Sequence, residues 1–315
     1  MNDPAPIKVK ALELGFTTVG VCDAVPPPHF EAYEDWIRGG NHAGMAYLKD
    51  QMDLKKSPQS LLPEARSIVV VTLNYNQPLD HARGHPKFAR YALGRDYHRV
   101  LRGKLKKLAS FIDEIYPEAK NRICVDSAPI LERDYAQMAG LGWFGKNTLL
   151  IDSKRGSYFF IGMLLTSIPL VADGPAAGGC GTCHKCVEAC PTGAIIFAND
   201  HWQVNARNCI SYLTIEHRGS IDESLAEKIG EWTFGCDICQ EVCPFNEPRP
   251  SQPMRARVTG EPGLLSERPW PNLKDMVKMS AEDWDKMTTG SAIRRAGYRG
   301  LMRNAEINLR ASSAD

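Results

Sequence analysis

The sequence predicts an α+β protein: a mixed α/β domain over residues 1–172, a cysteine-bearing module over 173–250 and a helical tail over 251–315 that packs back on the first domain. Three observations carry this. Ser67 to Leu73 (SIVVVTL) is a β-branched run of the kind that forms a strand buried on both faces. Leu101, Leu105, Leu108, Ile112 and Ile115 recur at helical spacing behind Asp96, a residue suited to capping a helix. Eight of the ten cysteines fall between Cys180 and Cys243.

The elements follow in order. Ile7 to Leu14 reads as a helix, and Thr17 to Cys22 as a strand. Arg122 to Val125 is a short strand, and a helix follows Pro129, where proline suits a first turn, until Gly140 and Gly142 stop it. Strands near Thr148 to Ile151 and Tyr158 to Leu165 complete the layer. Asp173 to Gly179 (DGPAAGG) is a natural boundary, and the proline-rich stretch Glu247 to Pro253 leads into the tail.

Composition sets outer bounds. With 43% apolar and 24% charged residues over 315 positions, the chain is long enough for two cores. A net charge of +1 means that any nucleic-acid contact must come from local patches. The amino terminus, MNDPAP, has neither a basic nor an apolar signal region, and the longest apolar run, Tyr158 to Leu165, is too short to cross a bilayer. Free thiols without an export signal point to the cytoplasm and away from membranes.

The cysteine spacing is the most specific signal. Cys180-x-x-Cys183-x-x-Cys186-x-x-x-Cys190-Pro191 is followed by Cys209, then by Cys236-x-x-Cys239-x-x-x-Cys243-Pro244. Thiolates two residues apart let one loop wrap three corners of an iron–sulfur cube, while the cysteine before proline ligates the other cluster. Two [4Fe-4S] clusters are therefore expected, one on Cys180, Cys183, Cys186 and Cys243, the other on Cys190, Cys209, Cys236 and Cys239. Zinc sites favour two separated pairs, and disulfide frameworks need an oxidising compartment. The 26 residues between Cys209 and Cys236 exceed ferredoxin spacing and form an insertion with some other task. Cys22 and Cys124, in predicted strands, read as inert buried thiols. No G-x-G-x-x-G follows a strand, so composition and spacing name no electron acceptor.

Several stretches together resemble the epoxyqueuosine reductase family: Val125 to Arg133 (VDSAPILER), Ala139 to Ile151 (AGLGWFGKNTLLI), Gly94-Arg95-Asp96-Tyr97-His98, Cys209 to Glu216 (CISYLTIE), Gly290 to Gly297 (GSAIRRAG) and Arg303-Asn304-Ala305. The resemblance covers nearly the whole chain. It implies a nitroreductase-like cobalamin-binding domain, similar to that of reductive dehalogenases, ahead of a ferredoxin-like two-cluster domain. The implied reaction is reduction of epoxyqueuosine to queuosine at wobble position 34 of tRNAs with GUN anticodons, with cobalamin bound base-off. An external one-electron donor such as flavodoxin or ferredoxin would charge the clusters, and the family pattern leans towards a monomer. The longer members continue into helical repeats; this chain ends at Asp315, which implies the shorter form.

The resemblance also assigns roles. Asp126 matches the proton donor, which the alkoxide of an opening epoxide requires; such a carboxyl needs a raised pKa, and the residue could instead be a helix N-cap before Pro129. Lys55, Asp126, Leu150, Ile161, Leu164, Ser211 and Asp237 match cobalamin contacts, although Leu150, Ile161 and Leu164 could equally be strand core. Asp96-Tyr97-His98 imitates the start of a cobalamin box without its glycine, so His98 reads as a surface or packing histidine. Ala89 stands where some members carry cysteine. Arg207, His217, Arg218, Arg294, Arg295, Arg299 and Arg303 are candidates for phosphates of an anticodon stem-loop, or plain solvated surface. The rivals are a corrinoid reductive dehalogenase and a non-enzymatic ferredoxin-type carrier.

Overall fold

A computed structural model describes residues 1–79, 81–266 and 268–313. Its centre is a four-stranded antiparallel sheet of β1 (Thr18–Asp23), β2 (Ser67–Asn74), β3 (Asn121–Cys124) and β4 (Phe159–Thr166), in the order β1-β2-β4-β3. The β-branched run predicted as doubly buried is β2, a central strand. Val69, Val71 and Leu73 face one core, and Ile68 and Val70 face the other. Helices α1 (Ala5–Glu13) and α2 (Tyr97–Ile115) cover the first face, and α3 (Glu132–Met138) covers the second.

Leu101, Leu105, Leu108 and Ile112 are all fully buried, so α2 lies on the sheet by the stripe read from sequence. Asp96 is its N-cap, accepting the His98 backbone N–H at 3.0 Å. The approach to this cap is tight. A side chain at Gly94 would place its Cβ 2.4 Å from the Leu264 backbone, so only glycine lets the tail pass there. Arg95 and Asp96 then donate their backbone N–H groups to Gly263 and Gly290 of the tail.

The expected helix after Pro129 starts later, at Glu132, with Leu131 as N-cap and no side-chain cap. Asp126 is therefore no helix cap. It sits in a left-handed turn at φ +47° that ends β3. Trp143–Phe144 pairs with Leu150–Ile151 as a small hairpin, of which only the second half was expected.

The insertion after Cys209 builds structure of its own. It forms α4 (Ile210–Ile215), a helix at Glu223–Ile229 and the strand Trp232–Phe234, which pairs in parallel with Lys87–Phe88 of the first domain. The tail helix α5 (Gly297–Ser313) packs on this insertion. Phe88, Ala92, Leu93, Phe234, Ile293, Leu301 and Ala305 make one shared core, so all three segments of the chain meet there. Buried Asn304 donates to the carbonyls of Thr214 and Thr233. Arg303 donates to those of Leu213, His217 and Gly219, satisfying carbonyls that α4 leaves open at its end.

Candidate active site

The thiols fall into two sets. Cys186, half-buried, lies in the field of Cys180, Cys183 and Cys243, and burial followed by these neighbours pushes its thiol up to about 11. Cys180, Cys183, Cys186 and Cys243 also line one pocket, with Lys146 and Phe245 at its edge. Cys239 faces Cys236 and Cys209, and Cys236 in turn faces Cys209 and Cys190. Cys239 also lies in the field of Cys186, so the two sets are neighbours. Burial pushes the Cys236 thiol up to about 12, so neutral thiols crowd a space suited to a group that takes them as thiolates.

Backbone donors point at the same sulfurs. Ala194 N–H meets Cys190 Sγ at 3.3 Å, Ser211 and Tyr212 N–H groups aim at Cys209, and Ile238 aims at Cys236. Such N–H···S bonds tune cluster potential. Among the described residues no three His, Cys, Asp or Glu side chains converge on a point where one metal ion would sit. Cys180, Cys183, Cys186 and Cys243 instead line a cavity. Cys22 and Cys124 stand apart, buried in the sheet, with burial pushing them up to about 12 and about 11.

The second constellation is polar. Asp126 presents a carboxyl that is 56% exposed, and its Oδ2 lies 3.0 Å from His98 Nε2. The other ring nitrogen of His98, Nδ1, lies 2.7 Å from Asp96 Oδ1. The Tyr97 ring stacks on the imidazole at 4.1 Å and on Phe160 at 4.1 Å, which fixes the plane of the histidine. Behind Asp126, its backbone N–H donates to Glu132 Oε1 at 2.5 Å.

The electrostatics differ from the expectation. The recessed position of Asp126 opposes its ionisation, but His98, the Tyr97 hydroxyl and Arg295 outweigh it and hold the carboxyl below the usual range. Partial burial opposes charge on His98, yet the bonds to Asp126 and Asp96 push it up to about 9. Burial and the charge of Asp126 push Glu132 up to about 8. The proton-bearing groups near neutrality are thus His98 and Glu132. In the chain by itself Asp126 is held low because a cation sits on its oxygen.

Other expected site residues divide. Lys55 is buried on a short 3₁₀ turn, within the field of Glu132 and Asp126, and burial lowers its pKa. Leu150 and Ile161 pack in the second core, while Leu164 lies fully buried in the first. Because side chains alternate along a strand, Ile161 and Leu164 point their side chains to opposite sides of β4. Ser211 is half-buried at the start of α4 beside Cys209. Asp237 is 1% exposed, and its carboxylate accepts from the Arg90 backbone, the Arg90 guanidinium and Gln240. Its role is to fasten the second cysteine loop to residue 90. Ala89, equally buried, packs against Gly235, where an added Cβ would lie 2.6 Å from it.

The basic candidates also divide. Arg303 and Arg218 are spent on backbone carbonyls, Arg218 donating to Ile215, Arg295 and Ala296. Arg294 is tied to Asp285 and lies over Trp284. Arg295 pairs with Glu216 at 2.8 Å and lies over the Tyr47 ring, closing one side of the Asp126 recess. Arg207 and Arg299 are exposed, and His217 is bonded through Nε2 to the Ser220 carbonyl. Sequence reasoning missed Glu132, Tyr47 and Glu216; His98, read as a surface or packing histidine, does pack on Tyr97 and in addition bridges Asp96 and Asp126. The only signal for His98 was its place two residues after a capping aspartate.

Residues 179–246 match the family described as 4Fe-4S double cluster binding domain, and residues 55–127 match that described as epoxyqueuosine reductase QueG, DUF1730. The chain is 37% identical to the epoxyqueuosine reductase of Cellulophaga algicola over 310 residues, covering 96% of each. It is 41% identical to that of Escherichia coli K12 over 311 residues, covering 96% of this chain and 79% of that protein. A crystal structure of epoxyqueuosine reductase with a tRNA-Tyr epoxyqueuosine-modified stem loop superimposes at a TM-score of 0.84 and 28% identity, over 98% of this chain and 81% of that one. The chain, an oxidoreductase with a 4Fe-4S double cluster domain, belongs to the epoxyqueuosine reductase family.

Proposed function

We propose that this chain reduces epoxyqueuosine to queuosine at position 34 of tRNAs with GUN anticodons, with cobalamin bound base-off in the recess beside Asp126. The observation that carries the reading is Asp126 itself. It is a solvent-open acid in a left-handed turn, walled by residues of the first domain and of the tail, in a chain of this family. The related structure holding an epoxyqueuosine-modified stem loop supports a tRNA anticodon stem-loop as the partner.

The donor set fits both cofactors. Two quartets of thiols, each with backbone N–H groups aimed at sulfur, suit two [4Fe-4S] clusters. Both nitrogens of His98 are engaged by carboxylates, so neither is free to take a metal. Lys55 and Ser211 would hold the corrinoid from the sides of the sheet and of cluster two, and Leu150 and Ile161 from one face of the sheet. When bound, a low-valent corrinoid supplies the electron pair that opens the carbon–oxygen bond. The chain's own residues do the rest. Asp126 stands where it can hand a proton to the oxygen, and Arg295 and Tyr47 narrow the entrance. Exposed Arg207 and Arg299 offer phosphate contacts, an external one-electron donor such as flavodoxin or ferredoxin charges the clusters, and the reaction is cytoplasmic. Among the described residues no helix is long and apolar enough to cross a membrane.

Anaerobically reconstituted protein should carry about eight irons and near-stoichiometric cobalamin, and should convert an epoxyqueuosine-bearing stem-loop. Full iron with no corrinoid bound would sink the mechanism and leave an electron carrier.

A further inference from the structure

We propose that His98, clamped between Asp96 and Asp126, is the proton store that loads Asp126 for both protonations of the epoxide oxygen. The inference rests on the reduction proposed above. Converting an epoxide to an alkene consumes two electrons and two protons. One carbon–oxygen bond opens and its oxygen takes a proton to become a hydroxyl. The second bond then breaks, the oxygen leaves with the bonding pair, and a second proton makes it water. The electrons, delivered through the reductase's clusters, become the second bond of the alkene. Asp126 carries at most one proton at a time, so it must be loaded twice.

The geometry supplies the loader. With both carboxyls ionised, an imidazole facing an oxygen from each nitrogen, at 2.7 Å and 3.0 Å, donates from both and is an imidazolium. Asp96 cannot swing away. It caps α2 through the His98 N–H, and its own N–H is held by Gly290 of the tail. The Tyr97 ring, stacked between His98 and Phe160, blocks rotation of the imidazole. Transfer of the Nε2 proton to Asp126 Oδ2 leaves a neutral imidazole whose Nδ1–H stays on Asp96. His98 is 29% exposed and regains its proton from water.

The charges facing the imidazole are Asp96 on its own helix and Asp126 from the turn after β3. Asp126 in turn faces Glu132 on α3, Arg295 on the tail and Lys55 on its 3₁₀ turn. His98 acts through Asp126 and touches no reacting atom. It is a positioning and proton-supplying residue.

The test is the pH profile of single-turnover reduction of an epoxyqueuosine stem-loop by reconstituted holoenzyme, with nitrogen-15 histidine spectra of the same protein. Wild type should hold its rate through neutrality and lose it as pH rises through about 9. His98→Gln should be slowed about 10²-fold, and its rate should fall steadily with rising pH across the neutral range, because the carboxyl must then hold the proton unaided. Asp96→Asn keeps the cap and should move the wild-type limb to lower pH. The spectra should show both His98 nitrogens protonated at pH 7.5. A His98→Gln enzyme with unchanged rate and profile, or a neutral single-tautomer His98, would overturn the proposal. A wild type that binds cobalamin yet never turns over would sink the reduction, and the proton store with it, whatever the spectra show.

Discussion

The cysteine module and the Asp126 recess are built on opposite principles. Seven of the eight module thiols lie in two short runs, Cys180 to Cys190 and Cys236 to Cys243, and only Cys209 stands alone. The recess draws on Tyr47, Lys55, His98, Asp126, Glu132, Glu216 and Arg295, which come from five separate stretches of the chain. The short runs place most of the thiols, although each expected quartet also takes a thiol from another stretch. A proton site assembled from distant segments depends on every contact that holds them together.

The largest effect should come from the module. Cys236→Ser removes a ligand expected for the second cluster, and the protein should lose about half its iron and essentially all turnover. Metal analysis beside the activity assay checks it, and full iron in the variant would break the assignment of that quartet.

Asp126→Asn should come next. It removes the acid while keeping the turn, since asparagine tolerates φ > 0, and should slow reduction by about 10²–10⁴-fold. Iron content should stay at the wild-type level, the contrast that separates the two regions. A variant with full rate would remove Asp126 from the chemistry.

Asn304→Ala tests whether the tail holds the recess together. It strands the Thr214 and Thr233 carbonyls in the core and removes one acceptor of Arg303, so unfolding should cost about 2–3 kcal/mol less in a denaturant titration. Arg295→Ala should do far less to stability. Its ion pair with Glu216 is half-exposed and worth under about 1 kcal/mol. A stability loss as large as that of Asn304→Ala would show that the tail is held by its rim.

Stability against pH should show the smallest effect, and its sign follows from the shifts. His98 is held above its ordinary 6.5, so its contribution is complete below pH 6.5 and is lost as pH rises through about 9. Asp96 and Asp126 are held below 3.8, so theirs is present above pH 3.8 and is lost as pH falls through their lowered values. Asp126→Asn should therefore flatten the alkaline limb of a denaturation series, and an unchanged limb would mean that His98 draws its charge from Asp96 alone.

The sequence by itself determined the double-cluster cysteine pattern, the buried strand β2, the capped helix α2 with four of its five stripe positions buried and, through its motifs, the family. These are short-range facts: thiol spacing sets which loop can wrap a cluster, and side-chain period sets which face is buried. It could not tell whether Asp126 capped a helix, and the late start of α3 decided that. It offered seven basic residues for phosphates, and the fold spends Arg218 and Arg303 on carbonyls. It matched Ile161 and Leu164 to one ligand, and β4 turns them apart. Only the tertiary structure placed His98 between two carboxylates 30 positions apart in sequence, Asp96 and Asp126, and so decided where the proton rests. Protonation depends on distance through space, and nothing in local spacing encodes it.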